Sequence, residues 1–170
     1  MNARRPFPPR AAALGAGVFL MVLLAAPAGA EPARALTSPE ALGKRIFFDA
    51  GLSRNRNQSC ASCHAPAAGF TGPDSAINAG GSAYEGSIAG RFGNRKPQSA
   101  AYATPSPVFH SRVEEGEKLF VGGNFWDGRA TGERLGSAAA EQAQGPFLNP
   151  VEQALPDAAC VVQRVCAAEY

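Results

Sequence analysis

Five consecutive residues, Cys60-Ala61-Ser62-Cys63-His64, place two thiols and an imidazole at a spacing that suits one chemistry well. A C-x-x-C pair alone serves as a redox dithiol or as half of a zinc site. With a histidine directly after it, the two thiols can form thioethers to the two vinyl groups of a haem while the imidazole reaches the iron. The chain contains no second C-x-x-C and no H-x-x-x-H to complete a zinc site. The spacing therefore predicts one covalently bound haem c, attached through Cys60 and Cys63, with His64 as the proximal iron ligand.

What faces the iron from the other side decides between electron transfer and chemistry. The two methionines, Met1 and Met21, both precede residue 31, so a mature chain starting there has none to offer the metal. His110 is the other histidine, in the turn-like stretch Ser106-Pro107-Val108-Phe109-His110. Two readings stay open. His64 and His110 together would make a mono-haem electron carrier or sensor; a solvated His110 would leave the sixth position to water or peroxide.

Attachment of haem c takes place outside the cytoplasm, and the first thirty residues supply an export signal. Arg4, Arg5 and Arg10 precede the apolar run Ala11–Leu24, and Ala28-Gly29-Ala30 offers small residues for cleavage. The run is short for a membrane span, which needs about 20 residues. The reading is a secretory leader over 1–30, a mature chain from residue 31, periplasmic localisation and no membrane span after cleavage. Three of the 16 Lys and Arg residues lie in the leader, which leaves 13 against 14 acidic ones. Such a balance, with cations scattered singly, lacks the basic stripe of a nucleic-acid binder.

The remaining stretch of about 140 residues suffices for one domain with a modest core, and a haem would enlarge that core. Glycine, proline and the scarcity of β-branched runs predict a mainly α fold with long loops, without internal repeats. Ser38 as N-cap, Pro39 and Glu40 open a helix that ends near Phe48 and buries Leu42 and Ile46. Gly69–Gly93 reads as an irregular loop, Arg95–Pro107 as extended and turning, Arg112–Leu119 as a short charged helical turn, and Glu133–Gln144 as a helix. Pro146 and Pro150 should break the chain before a last helix with an apolar face of Val161, Val162 and Val165. Cys160 and Cys166 lie about 120° apart around that helix, too divergent to bond each other, and read as small packing residues.

The chain also resembles the bacterial di-haem cytochrome c peroxidases and their MauG-like relatives. The resemblance rests on Ala41-Leu42-Gly43-Lys44-Arg45-Ile46-Phe47-Phe48-Asp49, Leu52-Ser53, Ser59–His64, Gly69-Phe70-Thr71, Phe125-Trp126-Asp127-Gly128-Arg129-Ala130, Gln142-Ala143-Gln144-Gly145-Pro146 and Asn149-Pro150-Val151-Glu152. It implies a cytochrome-c-like, peroxidatic N-terminal haem domain. Such a domain reduces hydrogen peroxide to water with electrons from a small cytochrome or copper protein, passed through a second haem. By the same resemblance Trp126 lies between the two haems, and Gln142 and Glu152 stand on the peroxide side of the iron. A carboxylate there can carry a proton from one peroxide oxygen to the departing one, and the amide of Gln142 can orient peroxide or water.

Three departures qualify what the resemblance implies. Arg95-Lys96-Pro97 puts a cation where relatives have an asparagine that helps hold calcium between domains, which makes a calcium site doubtful. The segment between Ala130 and Gln142 is longer than usual. The sequence ends at Tyr170 with one C-x-x-C-H, so it reads as C-terminally incomplete, with a second haem c expected in a full-length protein and a homodimer of that protein left open. In the MauG-like branch the oxidised iron acts on aromatic side chains of another protein, a third functional reading.

Overall fold

The computed structural model describes residues 35–170; the leader read over 1–30 lies outside the described residues. Regular structure consists of α1 (Ser38–Phe48), α2 (Cys60–Cys63), α3 (Ser75–Ala79), the strands β1 (His110–Glu114) and β2 (Glu117–Val121), α4 (Ala138–Leu148) and α5 (Ala158–Cys166). Among the described residues, five α-helices, three short 3-10 turns and one two-stranded sheet are joined by long irregular loops, so the mainly α expectation holds only in this loose sense.

Helix α1 starts one residue earlier than the sequence suggested. Thr37 is its N-cap, in a capping box with Glu40, whose carboxylate accepts from the Thr37 backbone N–H at 2.7 Å. Leu42 is exposed, a correction to the expected buried face; the inward positions are Ile46 and Phe47, and Phe47 packs against Phe48 and Phe70 with ring centroids 5.2 and 6.0 Å away. Within the expected irregular loop, Asp74 caps the short α3 by accepting from the Ala76 and Ile77 backbone N–H groups at 2.8 and 2.9 Å.

The stretch 112–119 is not a helical turn. It forms an antiparallel hairpin that pairs His110 with Val121 and Glu114 with Glu117. Glu115 and Gly116 have φ of 52° and 85°, and two consecutive left-handed residues make the tight turn whose twist matches paired strands. The glycine was the sequence signal for this turn, and charge density obscured it.

Helix α4 begins at Ala138 rather than at Glu133, because Gly136 sits at φ 71° and Ser137 caps the helix. Pro146 lies inside α4 rather than breaking the chain before the last helix. It is close to the C-terminal end, where the one helical bond its missing N–H forfeits, to the Gln142 carbonyl, costs least. Helix α5 is capped by Asp157, which accepts from the Cys160 backbone N–H at 2.8 Å. Its inward face is Cys160, Val161, Arg164 and Val165; Val162 and Cys166 point outward, so the packing role expected of Cys166 is not seen. Both cysteines are free thiols.

Among the described residues only Leu52, Ala130, Ala138 and Leu155 are buried apolar side chains, a very thin core for the length of chain. Leu52 is 0 % exposed, and Arg164 clamps its turn to α5 by donating to the Gly51 and Ser53 carbonyls, both at 2.6 Å. Leu52→Ala should therefore lower stability by roughly 2–5 kcal/mol, read as a drop in Tm by thermal denaturation.

Candidate haem site

Helix α2 is a single turn, opened by Ser59 and closed by the His64 backbone N–H donating to the Cys60 carbonyl at 2.9 Å. That turn brings Cys60, Cys63 and His64 onto the wall of a cavity of about 870 Å³. The volume lies at the upper end of the roughly 300–1,000 Å³ typical of ligand sites.

The chemistry of these three side chains fits a haem c. His64 Nδ1 lies 2.8 Å from the Gln98 carbonyl oxygen and 3.2 Å from that of Phe70. Both partners are acceptors, so Nδ1 carries the proton and donates, and in the neutral ring the lone pair sits on Nε2, free for a metal. Burial, followed by the nearby charge of Glu152, pushes the Cys63 thiol up to about 11, and burial also raises Cys60. Reactive dithiols and zinc ligands need the opposite shift toward thiolate. Among the described residues no group of three or more His, Cys, Asp or Glu side chains is placed to hold a bare metal ion. Among the described residues, three buried side-chain polar atoms lack a hydrogen-bond partner, Gln58 Oε1 and both amide atoms of Gln153, and both residues line this same cavity.

The opposite wall comes from α4 and the turn after it. Ala139, Gln142, Ala143 and Pro146 line the cavity at helical spacings of three and four residues, with two alanines leaving space for a flat group. Gln142 is thus brought into the site. The long segment before α4 is pinned by Glu141, whose carboxylate accepts from the backbone N–H groups of Gly132, Arg134 and Leu135 at 2.9, 2.6 and 2.9 Å. Those bonds hold its pKa below the ordinary carboxylate value.

Glu152 also lines the cavity, and Asn149 organises it. The Asn149 side chain donates to Glu152 Oε1 at 2.8 Å and accepts from the Val151 backbone N–H at 3.2 Å, while its carbonyl accepts from the Glu152 backbone N–H at 3.0 Å. Burial raises the Glu152 pKa, opposed by the Asn149 hydrogen bond and by the charges of His64 and Arg129. Asn149 was not singled out as a functional residue in the sequence, although an asparagine three residues before a candidate carboxylate is a legible signal for such a local bond.

Trp126 stands at the rim. The indole is 57 % exposed, lines the cavity and donates from Nε1 to the Lys96 carbonyl at 2.9 Å, so it is not a core aromatic. Its loop is closed by the Asn124–Ala130 bridge and braced by the Arg129 guanidinium, 3.6 Å from the Phe125 ring centroid and bonded to Asp127 at 2.9 Å. Arg95 approaches the same aspartate at 3.9 Å. His110 is elsewhere: it is exposed on β1, its Nδ1 lies 2.9 Å from the Val108 carbonyl oxygen, and it is not among the cavity-lining residues.

Residues 37–170 match the sequence pattern of the di-haem cytochrome c peroxidases. The chain is 41 % identical over 147 residues to the methylamine utilization protein MauG of Paracoccus denitrificans, covering 86 % of this chain and 35 % of that one. It is 34 % identical over 111 residues to the cytochrome c551 peroxidase of Pseudomonas aeruginosa, covering 65 % of this chain and 24 % of the relative. The crystal structure of the diheme peroxidase BthA from Burkholderia thailandensis superposes with a TM-score of 0.67 at 35 % identity, over 80 % of this chain and 31 % of that one. The matched region thus spans about a third, or less, of the length of these relatives.

Proposed function

The chain belongs to the di-haem cytochrome c peroxidase family, whose cofactors are haem c, and from that premise we propose that residues 31–170 form its peroxidatic haem domain. In this reading Cys60 and Cys63 hold the haem, His64 Nε2 binds the iron, and the domain reduces hydrogen peroxide to water in an exported, periplasmic protein. The carrying observation is that a histidine with Nδ1 fixed by two carbonyls and a half-buried glutamate line the same cavity.

A haem bound there would supply a Lewis-acid iron for peroxide and relay to it the two electrons that the donor provides. The chain's own residues handle protons and position. His64 is held in one tautomer and ring orientation by Gln98 and Phe70. Gln142 presents an amide that orients peroxide or water. Glu152 moves the proton from one peroxide oxygen to the departing one, with Asn149 fixing its carboxylate. Trp126, exposed at the rim, is suited to pass electrons from a second haem, which a small cytochrome or copper protein would reduce.

The test is the ferric spectrum of the purified holoprotein with and without peroxide. High-spin or mixed-spin haem that reacts promptly is expected. A clean low-spin spectrum unchanged by peroxide or cyanide would sink the reading in favour of a histidine-ligated carrier, for which His110 would have to leave the hairpin surface.

The 41 % identity to MauG supports a second reading, in which oxidising equivalents leave through Trp126 to aromatic side chains of a partner protein. Peroxide-driven oxidation of a reduced small cytochrome favours the first reading; its absence alongside modified partner aromatics favours the second.

A further inference from the structure

Between the haem-attaching turn and Glu152 runs a small closed turn, Tyr84–Gly93, to which neither reading assigns a role. It is braced internally: the Gly93 backbone N–H donates to the Tyr84 carbonyl at 2.9 Å and the Gly86 N–H to the Arg91 carbonyl at 2.7 Å. Its first arm, Glu85-Gly86-Ser87, touches both sides of the cavity wall.

Toward the attachment turn, the Gln58 side-chain amide donates to the Glu85 carbonyl at 2.8 Å and lies 3.8 Å from Cys63 Sγ. Ser87, only 1 % exposed, binds the loop leading into Cys60 four times. Its Oγ accepts from the Asn55 backbone N–H at 2.9 Å and donates to Asn57 Oδ1 at 2.7 Å, and its carbonyl accepts from the side-chain amides of Asn55 and Asn57 at 2.8 and 3.1 Å.

Toward the other side, the Ser87 backbone N–H donates to the Glu152 carbonyl at 2.7 Å. Gly86 lies so close to the turn at Val151 and Glu152 that an added Cβ would sit 2.6 Å from the Val151 carbonyl carbon and 2.9 Å from the Glu152 carbonyl oxygen. Those are backbone atoms, which cannot swing aside as a side chain would. Glycine is required here for space.

We infer that Gly86 and Ser87 are positioning residues: the turn they belong to acts as a spacer that sets how far the Glu152 carboxylate stands from the haem held by Cys60, Cys63 and His64. The inference rests on the peroxidatic reading of Glu152. Packed backbone contacts on one face and four hydrogen bonds on the other leave little slack, and misplacing a catalytic group by about 1 Å costs about 10²-fold in rate.

The test compares holoprotein of the full chain with Gly86→Ala, Ser87→Ala and Glu152→Gln. The readouts are haem attachment, the C–O stretching frequency of carbon monoxide on the ferrous iron, and the bimolecular rate with peroxide. The C–O stretch responds to hydrogen bonding from the pocket, which a change in stability alone does not alter. Gly86→Ala should keep its thioethers, move the C–O stretch toward that of Glu152→Gln and slow the peroxide reaction by about 10²-fold. Ser87→Ala, which loosens the spacer without adding volume, should shift both in the same direction by less, and it decides the question if Gly86→Ala does not fold. Stretch and rate equal to wild type in these variants, while Glu152→Gln changes both, would overturn the inference. If Glu152→Gln itself changes neither, the peroxidatic reading fails instead. The separation of Glu152 from His64 in a crystal structure of Gly86→Ala, or of Ser87→Ala if that variant alone folds, then judges the spacer alone: an unchanged separation overturns it.

Discussion

His64→Ala and Cys63→Ala should each abolish stable holoprotein, leaving a chain that is largely unfolded or degraded. Only four apolar side chains are buried among the described residues, and α2 is one turn long, too short to persist without tertiary support. Phe47, Tyr102, Phe125 and Trp126 line the cavity, so a haem bound there would bury aromatic surface that the protein alone leaves open. Removing Cys63 leaves one thioether at most; removing His64 also frees the Gln98 and Phe70 carbonyls that its ring ties to α2. The measurements are haem absorbance per protein and far-ultraviolet circular dichroism. Soluble, haem-free protein with native helix content would show that the fold does not depend on the cofactor.

The attachment turn was legible because its chemistry is local. Cys60, Cys63 and His64 must be adjacent in sequence to reach one porphyrin, and five residues state that requirement in full. Gln142 and Glu152 entered through family resemblance. Taken alone, a glutamate after a proline and a valine reads as a solvated charge, and the contacts of its backbone with Gly86 and Ser87 are announced by no local pattern. The hairpin at 110–121 was misread because a Glu-Gly pair is a weaker turn signal than Asn-Gly, and alternating charges mimic a helix surface. Pro146 was misread because proline breaks a helix interior but is tolerated near a C-terminal end whose carbonyls find other partners. One such partner is the Gln153 backbone N–H, which donates to the Pro146 carbonyl at 3.2 Å. Gly86 and Ser87 were invisible, since their significance lies in contacts with residues about 30 and 65 positions away.

Glu152→Gln should leave haem incorporation intact and slow the reaction with peroxide by about 10²-fold or more, the usual scale for removing a general acid–base group. The amide keeps the shape of the side chain and can still bond Asn149, so any loss reflects the missing proton carrier. To receive the first proton the carboxyl must be ionised, so the wild-type rate should rise with pH through the Glu152 pKa. Burial displaces that pKa upward, and the acid limb of the profile should therefore lie above the ordinary carboxylate range. Asn149 favours the ionised form by donating to it, so Asn149→Ala should move the limb to higher pH still. Stability runs the opposite way to the rate. Below the unfolded-state value both states are protonated, and as pH rises through that value and then through the higher folded one, the wild type should lose stability relative to Glu152→Gln. Stopped-flow rates across pH for the three proteins check the argument. A bimolecular rate unchanged in Glu152→Gln, with the acid limb still present, would make Glu152 a buried spectator and leave the proton transfer to some other group in the cavity.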